Sequence, residues 1–254
     1  MSKPYSHRQD LPFRARTAPL HAATTLALCC LGGCVYFAKH TSEGACRDNL
    51  GSPIRNFCVE APSVWRGERP SRDDASWLLH HGVRTVVNLE VFISDRVAFD
   101  HARAPPGARP VQYYHVPDFE PVHLVNWSLL DSHVAQFIAI VKRAPKPVYV
   151  HCMDGLDRTG VLIAAYRVLV EDVDSESAIA EVRRYGTPWI RVDAAYIRSL
   201  SGERRDAILH LAGEREARLK PTALISCNEG TCRYSRADSR SRLAGSASSS
   251  AAQF

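Results

Sequence analysis

The residues best suited to chemistry stand close together, between an apolar segment and the start of a helix. Cys152 and Arg158 are separated by five residues in the stretch Pro147-Val148-Tyr149-Val150-His151-Cys152-Met153-Asp154-Gly155-Leu156-Asp157-Arg158-Thr159-Gly160. This stretch predicts a buried strand, a tight turn and an apolar helix that begins near Thr159. Backbone amides of the turn and the helix N-terminus form a site for an oxyanion. The loop can curl so that the thiol and the guanidinium surround one bound anion.

The order His-Cys-x5-Arg-Thr-Gly resembles the signature loop of the cysteine-dependent protein tyrosine and dual-specificity phosphatases. The resemblance implies hydrolysis of a phosphomonoester through a phosphocysteine intermediate, with Cys152 as the nucleophile. It implies that Arg158 holds the phosphate, that Thr159 stabilises the leaving thiolate, and that His151 orients the cysteine and its loop. The remaining loop positions are expected to contact the substrate: Met153, Asp154, Gly155, Leu156 and Asp157.

A cysteine attacks phosphorus well only as the thiolate. The loop amides, the helix N-terminus, Arg158 and the hydroxyl of Thr159 predict a lowered pKa for the thiol of Cys152. Arginine can hold two phosphate oxygens with its planar fork, which lysine cannot do. We expect neither a metal nor a cofactor for this chemistry.

The leaving group needs a proton, which the resembled family takes from an aspartate on a mobile upstream loop. Asp118, in Val116-Pro117-Asp118-Phe119, matches the family's Trp-Pro-Asp loop except that Val116 replaces the tryptophan. The competing interpretation is a solvated turn residue, because Pro-Asp is a common turn pair. Glu120 is the nearest competitor for the role of general acid, and Asp131 is a weaker one.

The variable loop positions also bear on the substrate. Phosphatases that act on multiply phosphorylated inositols tend to have lysines there, whereas this loop has Asp154 and Asp157. Two carboxylates beside the pocket are expected to repel polyanions, although Asp157 is alternatively an internal brace. The predicted substrates are phosphotyrosine, phosphoserine and phosphothreonine in proteins, or a small phosphomonoester. A phosphoinositide or inositol phosphate phosphatase and a non-catalytic phosphate-binding scaffold are the alternatives.

The elements around this loop alternate between helix and strand. Ser71 is a predicted N-cap of a helix that ends at Gly82, and a strand over 83–89 follows. A strand over 111–116 and a long amphipathic helix to about Arg143 come next. This alternation predicts an α/β fold with a mostly parallel central sheet flanked by helices, in a single phosphatase domain. Cys152 and Asp118 then both fall at carboxyl ends of strands.

A second string resembles the opening of bacterial and fungal dual-specificity-like phosphatases. It begins with Trp65-Arg66-Gly67-Glu68-Arg69-Pro70, which we interpret as a turn. The helix and the segment Gly82-Val83-Arg84-Thr85-Val86-Val87-Asn88-Leu89 follow. This match is independent of the cysteine loop.

The 254 residues fit one domain of ordinary size with tails, and 45% hydrophobic with 23% charged residues is normal for a globular protein. The net charge of +5 is modest, and the sequence lacks the basic and aromatic patch that is typical of nucleic-acid binders. We expect a targeting segment over residues 1–38, a linker over 39–54, the phosphatase domain over 55–226 and a disordered tail over 227–254.

The N-terminal segment has a basic start followed by an uncharged run from Thr17 to Ala38. Leu31-Gly32-Gly33-Cys34 resembles a bacterial lipoprotein cleavage box, which makes Cys34 a candidate for lipidation. The run is also long enough for an uncleaved transmembrane helix, and a core segment is a third interpretation. Both anchors predict a membrane-anchored protein whose domain is extracytoplasmic, on the periplasmic or cell-surface side.

Of the eight cysteines, two pairs flank the predicted domain: Cys46 with Cys58, and Cys227 with Cys232. Such pairs suit an oxidising compartment, and free thiols are the alternative. No histidine stands at ligand spacing from either pair, which argues against a metal site.

Overall fold

The computed structural model describes Cys46, residues 48–61 and residues 63–237. In this part of the chain a seven-stranded sheet is flanked by helices, as expected for an α/β fold, with strand order β1-β2-β5-β3-β4-β6-β7. The strands are β1 Cys58–Ala61, β2 Val64–Gly67, β3 Thr85–Asn88, β4 Val111–His115, β5 Val148–His151, β6 Ala223–Asn228 and β7 Thr231–Arg236. The helices are α1 Arg72–His80, α2 Arg96–Phe99, a 3₁₀ helix Glu120–Leu124, α3 Trp127–Arg143, α4 Asp157–Val170, α5 Ser175–Arg184, α6 Ile190–Arg198 and α7 Gly202–Arg218.

The four central strands β2, β5, β3 and β4 pair in parallel. The outer pairings, β1 with β2, β4 with β6 and β6 with β7, are antiparallel. The expectation of a mostly parallel sheet therefore holds for the centre of the sheet and not for its edges. Hairpin connections at both edges join neighbouring strands directly, and a short connection permits only antiparallel pairing.

The sheet buries both of its faces, so β5 is held from two sides. Val148 and Val150 pack into the cluster formed by α3, α4 and α7, whereas Tyr149 points to the opposite cluster with α1. This alternation follows from the two-residue period of a strand. The chain that leaves β5 therefore starts from a fixed position at the carboxyl edge of the parallel strands.

Most of the predicted elements before the cysteine loop are confirmed. Ser71 caps α1 in a capping box with Asp74, and Asn126 caps α3 through its side chain. The interpretation of Trp65-Arg66-Gly67 as a turn is wrong, because these residues belong to β2 and pair with β5. Helix α4 begins at Asp157, slightly earlier than predicted.

The prediction of a disordered tail from residue 227 is wrong for the described residues. Strands β6 and β7 form a hairpin that extends the sheet, with Cys227 opposite Cys232. The two cysteines form a disulfide, and Ile225 and Cys232 are buried against the sheet. Polar outward-facing side chains hide this edge hairpin in the sequence. Residues 238–254 lie outside the described residues.

Cys46 and Cys58 form the second disulfide. The predicted pairing of these two cysteines is therefore confirmed, and they are not free thiols. The predicted targeting segment and Cys34 lie outside the described residues. Among residues 48–61 and 63–237, no helix combines the length and apolar character that crossing a bilayer needs.

Candidate active site

Cys152 directly follows β5, at the centre of the sheet. Its thiol is free and 2% exposed, whereas the other cysteines of the described chain form disulfides. The chain then turns through Gly155, whose φ of +70° lies in the left-handed region that glycine adopts without strain. Helix α4 starts two residues later. The thiol therefore lies beside the N-terminus of a buried helix, as the sequence predicts.

The loop after Cys152 presents unpaired backbone amides. Among the backbone hydrogen bonds of the described residues, none uses an amide N–H from Asp154 through Arg158 as its donor. The loop carbonyls, in contrast, are held from outside. The carbonyl of Met153 accepts from the amide of Arg69 at 3.1 Å, and that of Asp154 accepts from Nδ2 of Asn56 at 2.9 Å. Carbonyls turned outward and amides left free are the arrangement of an anion-binding loop.

Arg66, on β2, braces the same loop from below. Its Nη2 donates to the carbonyl oxygens of Gly155 at 2.6 Å and of Leu156 at 3.3 Å. Its Nη1 lies 3.3 Å from Oε1 of Glu60, and its guanidinium stacks 3.6 Å from the ring centre of Tyr185. The side chain is buried, so this cation adds a positive field beneath the loop. Sequence reasoning missed the role of Arg66, and only the Trp-Arg-Gly resemblance pointed to the residue.

Arg158 lies in the first turn of α4, directly after the cysteine loop. Its Nε lies 3.3 Å from Oε1 of Glu120, without forming a hydrogen bond to it. Burial acts to lower the pKa of Arg158, but the charges of Cys152 and Glu120 raise it above its usual value. The side chain therefore stays cationic in a partly dry site and is available to an oxyanion.

The thiol of Cys152 is subject to opposed influences. Burial raises its pKa, and the charge of Glu120 raises it further. The charge of Arg158 and the neighbouring hydroxyl and amide of Thr159 lower it, and the net result is a raised pKa. The expected lowering is therefore not what this arrangement gives, because the thiol is buried and a carboxylate lies nearby.

His151 is buried in β5 and orients the start of the loop. Its Nδ1 lies 3.2 Å from the carbonyl oxygen of Cys152, and its Nε2 lies 2.7 Å from Oδ2 of the buried Asp95. Burial acts to lower the pKa of His151, but the charge of Asp95 and its hydrogen bond raise it. The orienting role expected for His151 thus has a geometric basis. Its partner Asp95, which precedes α2, was not identified from the sequence.

Asp118 lies on the loop after β4, at the carboxyl edge of the sheet as expected, but it is 1% exposed. Its Oδ1 accepts from Nε2 of His123 and from Nδ1 of His133, both at 2.9 Å, and its amide donates to Leu89 at 3.0 Å. Burial acts to raise the pKa of Asp118, but the two histidines lower it to about 2. This carboxylate is ionised and bonded to two histidines through Oδ1, while its buried Oδ2 accepts no hydrogen bond in the described structure. That Asp118 is the general acid stays a prediction from the sequence.

Glu120 is the first residue of the 3₁₀ helix, and its carboxyl group lies beside Arg158. It is 6% exposed, and burial raises its pKa to about 7 in spite of the nearby guanidinium. The third candidate acid, Asp131 on α3, is bound to Arg204 and Tyr196 and takes no part in the loop.

The remaining loop residues differ in their surroundings. Leu156 is buried, and Met153 and Asp154 are half-buried. Burial raises the pKa of Asp157, while a hydrogen bond with Thr187 lowers it. That bond favours the interpretation of Asp157 as an internal brace over that of a substrate contact.

Comparisons with known proteins place the chain. Residues 58–194 match the model of the family described as "DSP-PTPase phosphatase fused to NAD+ Kinase". The dual specificity protein phosphatase TpbA of one Pseudomonas aeruginosa strain is 29% identical over 136 residues, covering 53% of this chain and 56% of the relative. TpbA of a second strain is 28% identical over 170 residues, covering 66% of this chain and 65% of the relative. The chain thus spans less than two thirds of either curated relative.

Two solved structures are also similar to this chain. The crystal structure of P. aeruginosa TpbA has a TM-score of 0.48 at 24% identity, covering 63% of this chain and 91% of that one. The core catalytic domain of the PP-IP phosphatase SIW14 from S. cerevisiae has a TM-score of 0.47 at 20% identity, covering 66% and 97%. The family match spans more than half of the chain and includes the cysteine loop. The protein therefore belongs to the DSP-PTPase phosphatase family.

Proposed function

We propose that the protein is a phosphomonoester hydrolase that acts through a phosphocysteine intermediate. One observation supports this above all: a buried free thiol and a half-buried guanidinium share one loop, and the amides of Asp154 through Arg158 have no backbone acceptor in the described structure. An anion that enters the loop meets donors on every side, with Sγ of Cys152 as the nucleophile at its base.

The reaction has two displacements. The thiolate of Cys152 attacks phosphorus, the ester P–O bond breaks, and the leaving oxygen takes a proton from a neighbouring acid. Water then attacks the phosphocysteine, the P–S bond breaks, and inorganic phosphate and the thiolate form. The carboxylate left by the first step accepts the proton of that water. Arg158 holds the equatorial oxygens throughout, and the hydroxyl of Thr159 stabilises the departing thiolate.

For the substrate, we propose phosphotyrosine, phosphoserine or phosphothreonine in a protein or peptide. The P. aeruginosa relatives are named dual specificity protein phosphatases, which supports this class. The carboxylate of Asp154 stands beside the loop and disfavours a polyanionic inositol phosphate through like-charge repulsion. Phe119, 51% exposed beside Glu120, offers an apolar surface to an aryl leaving group.

Pre-steady-state kinetics with p-nitrophenyl phosphate test the proposal. We expect a burst of p-nitrophenol and, after acid quenching, a phosphorylated Cys152 peptide by mass spectrometry. Cys152→Ser is expected to abolish turnover while retaining vanadate binding, and Arg158→Lys to reduce both. Binding without any turnover by the wild-type protein would instead identify a phosphate-binding scaffold.

We further propose that the domain is exported and held at the membrane by its N-terminal segment. The basic start, the uncharged run and Leu31-Gly32-Gly33-Cys34 support this, and two disulfides suit an oxidising compartment. Mass spectrometry of the membrane fraction is expected to find an acylated Cys34 at the mature N-terminus. Recovery of peptides from residues 1–20 would favour an uncleaved anchor.

A further inference from the structure

Three buried carboxylates stand close enough to Arg158 for their charges to raise its pKa: Glu120, Glu90 and Asp118. Each is a candidate to protonate the leaving group, because a buried carboxylic acid is well suited to proton transfer. Their hydrogen bonds and ion pairs distinguish them.

Asp118 is the poorest candidate, although it occupies the position that the Pro-Asp resemblance indicates. Its Oδ1 already accepts from two imidazoles, and its backbone amide is bonded to the end of β3. His123 lies on the following 3₁₀ helix and His133 on α3. The Asp118 carboxylate therefore ties three elements together, and protonating it would weaken both of its hydrogen bonds.

Glu90 is the second candidate, and it is paired with a different arginine. Its Oε2 lies 3.2 Å from Nη1 of Arg69, a residue of the loop before α1. Its backbone is fixed as well, since its amide donates to Oδ1 of Asn88 at 2.7 Å. Glu90 has its own cationic partner and is held at the end of β3.

Glu120 lies beside the catalytic arginine, and His123 is a second group whose positive charge acts on its carboxylate. Oε1 of Glu120 lies 3.3 Å from Nε of Arg158, and this buried oxygen accepts no hydrogen bond in the described structure. The carboxyl group of Glu120 therefore lies next to the guanidinium of Arg158, which is the group that binds the substrate phosphate. A phosphate ester that binds this guanidinium competes with Glu120 for it and so comes close to the Glu120 carboxyl group.

We propose that Glu120, and not Asp118, is the general acid that protonates the leaving oxygen, and that Asp118 with His123 and His133 anchors the loop that presents it. This assignment rests on the proposed phosphatase function and names the proton donor of that same site.

The charges around the thiol support the assignment. The carboxylate of Glu120 raises the pKa of Cys152, and Arg158 stabilises whichever of the two groups is ionised. Transfer of one proton from Sγ to Glu120 gives a thiolate and a neutral acid without changing the net charge of the site. These are the protonation states that the first displacement needs, and the two ionisations are coupled through Arg158. The raised pKa of Cys152 makes this transfer unfavourable until an oxyanion and Arg158 together stabilise the reacting state.

Protonation at neutral pH favours Glu120 as well. Its pKa is raised to about 7, so about half of the molecules hold the proton at pH 7. The pKa of Asp118 is lowered to about 2, so this carboxyl group is ionised at that pH.

Leaving-group dependence tests the assignment in the full-length protein. Phenyl phosphate needs a proton on its leaving oxygen, whereas 2,4-dinitrophenyl phosphate does not. We expect Glu120→Gln to slow kcat for phenyl phosphate by about 10²–10⁴-fold and that for 2,4-dinitrophenyl phosphate by far less. The fall of kcat as pH rises above about 7 is expected to disappear in the same variant.

Two variants serve as comparisons. Asp118→Asn is expected to lower stability and to change kcat for both esters by a similar factor, since it disturbs only the anchor of the loop. Asp131→Asn lies outside the site and is expected to leave the ratio of the two rates as in the wild type.

Selective loss of phenyl phosphate hydrolysis in Asp118→Asn, with an unchanged rate ratio and pH profile in Glu120→Gln, would overturn the assignment and leave the phosphatase function standing. If the wild-type protein hydrolyses neither ester in a Cys152-dependent manner, both the assignment of Glu120 and the proposed phosphatase function are overturned.

Discussion

Gly155 and Gly67, the glycines of the two sequence motifs, pack backbone against backbone. A Cβ atom on Gly155 would lie 2.1 Å from the carbonyl oxygen of Gly67, well inside van der Waals contact. The cysteine loop therefore rests directly on the end of β2, and Arg66 bonds its carbonyls from the same strand. The Trp-Arg-Gly string and the cysteine loop are thus two halves of one site.

This close approach predicts that Gly155→Ala is severely damaging. Alanine at a φ of +70° is strained, and the added methyl group forces the loop away from β2. We expect a loss of at least about 1–3 kcal/mol in the free energy of unfolding and a marked loss of vanadate affinity. Urea denaturation and a vanadate titration measure the two effects.

Gly213 offers the matched control, because a Cβ there meets nothing within 4 Å and the residue lies inside α7. Gly213→Ala is expected to raise stability by about 0.5–1 kcal/mol through helix propensity. Equal tolerance of alanine at Gly155 and Gly213 would contradict the packing described.

Arg66→Lys is expected to loosen the anion-binding loop while keeping the charge. A lysine ammonium is a point charge that cannot bond two loop carbonyls and stack on Tyr185 as the planar fork does. We expect a loss of about 1.5–3 kcal/mol in stability, the usual range for hydrogen bonds to charged groups, together with a lower kcat. Arg198→Lys, at an exposed pair with Glu176, is the control and should change little.

The loop motif could be located from the sequence because its chemistry is local. Strand, glycine turn and helix N-terminus follow one another without a gap, so Cys152 and Arg158 are placed by neighbouring residues. The proton donor could not be placed in this way. Asp118 and Glu120 are two residues apart, and which of them meets Arg158 depends on His133, on a helix later in the chain.

The role of Arg66 and the β6–β7 hairpin could not be predicted from the sequence either, because both depend on contacts between segments far apart in the chain. Arg66 reaches the loop only because β5 inserts beside β2, a pairing between segments far apart in the chain. The β6–β7 hairpin looks polar because only one of its faces is buried. Its position beside β4 is a property of the folded sheet and leaves little trace in hydrophobic periodicity.

The buried Asp118–His123 pair predicts that stability depends on pH. Burial acts to lower the pKa of His123, but the hydrogen bond with Asp118 and the nearby carboxylate of Asp193 raise it to about 9 from an ordinary value of 6.5. A raised pKa means stabilisation that is complete below about pH 6.5 and lost as pH rises through about 9. We expect this contribution to be roughly 2–4 kcal/mol, at about 1.4 kcal/mol for each unit of pKa.

Urea denaturation at pH 6 and pH 9 measures this contribution. The wild-type protein is expected to lose it between these values, whereas His123→Gln is expected to be less stable at pH 6 and to lose less on going to pH 9. Parallel pH dependences for the two proteins would show that His123 is neutral in the folded state.

The two disulfides are predicted to stabilise the fold unequally. The chain-entropy model assigns about 3 kcal/mol to the loop between Cys46 and Cys58 and about 2 kcal/mol to the shorter loop between Cys227 and Cys232. The double variants Cys46→Ser/Cys58→Ser and Cys227→Ser/Cys232→Ser should show these losses in urea denaturation. Both should retain the Cys152-dependent burst, because neither bridge lies in the cysteine loop; its absence in a folded variant would contradict that separation.

Anion binding is predicted to take up a proton at Glu120. An oxyanion on Arg158 removes the cation that stabilises the Glu120 carboxylate, so the pKa of this group rises from about 7 when the site fills. Sulfate is a suitable probe in the Cys152→Ser protein, since it exchanges no proton near neutral pH. Calorimetry at pH 7 in buffers of different ionisation enthalpy should show uptake of up to about half a proton for each sulfate bound.

Adding Glu120→Gln to the Cys152→Ser protein should abolish the proton uptake while sulfate still binds, and adding Asp131→Asn should preserve it. Proton uptake that survives Glu120→Gln but disappears with Asp118→Asn would show that Asp118, and not Glu120, takes up the proton.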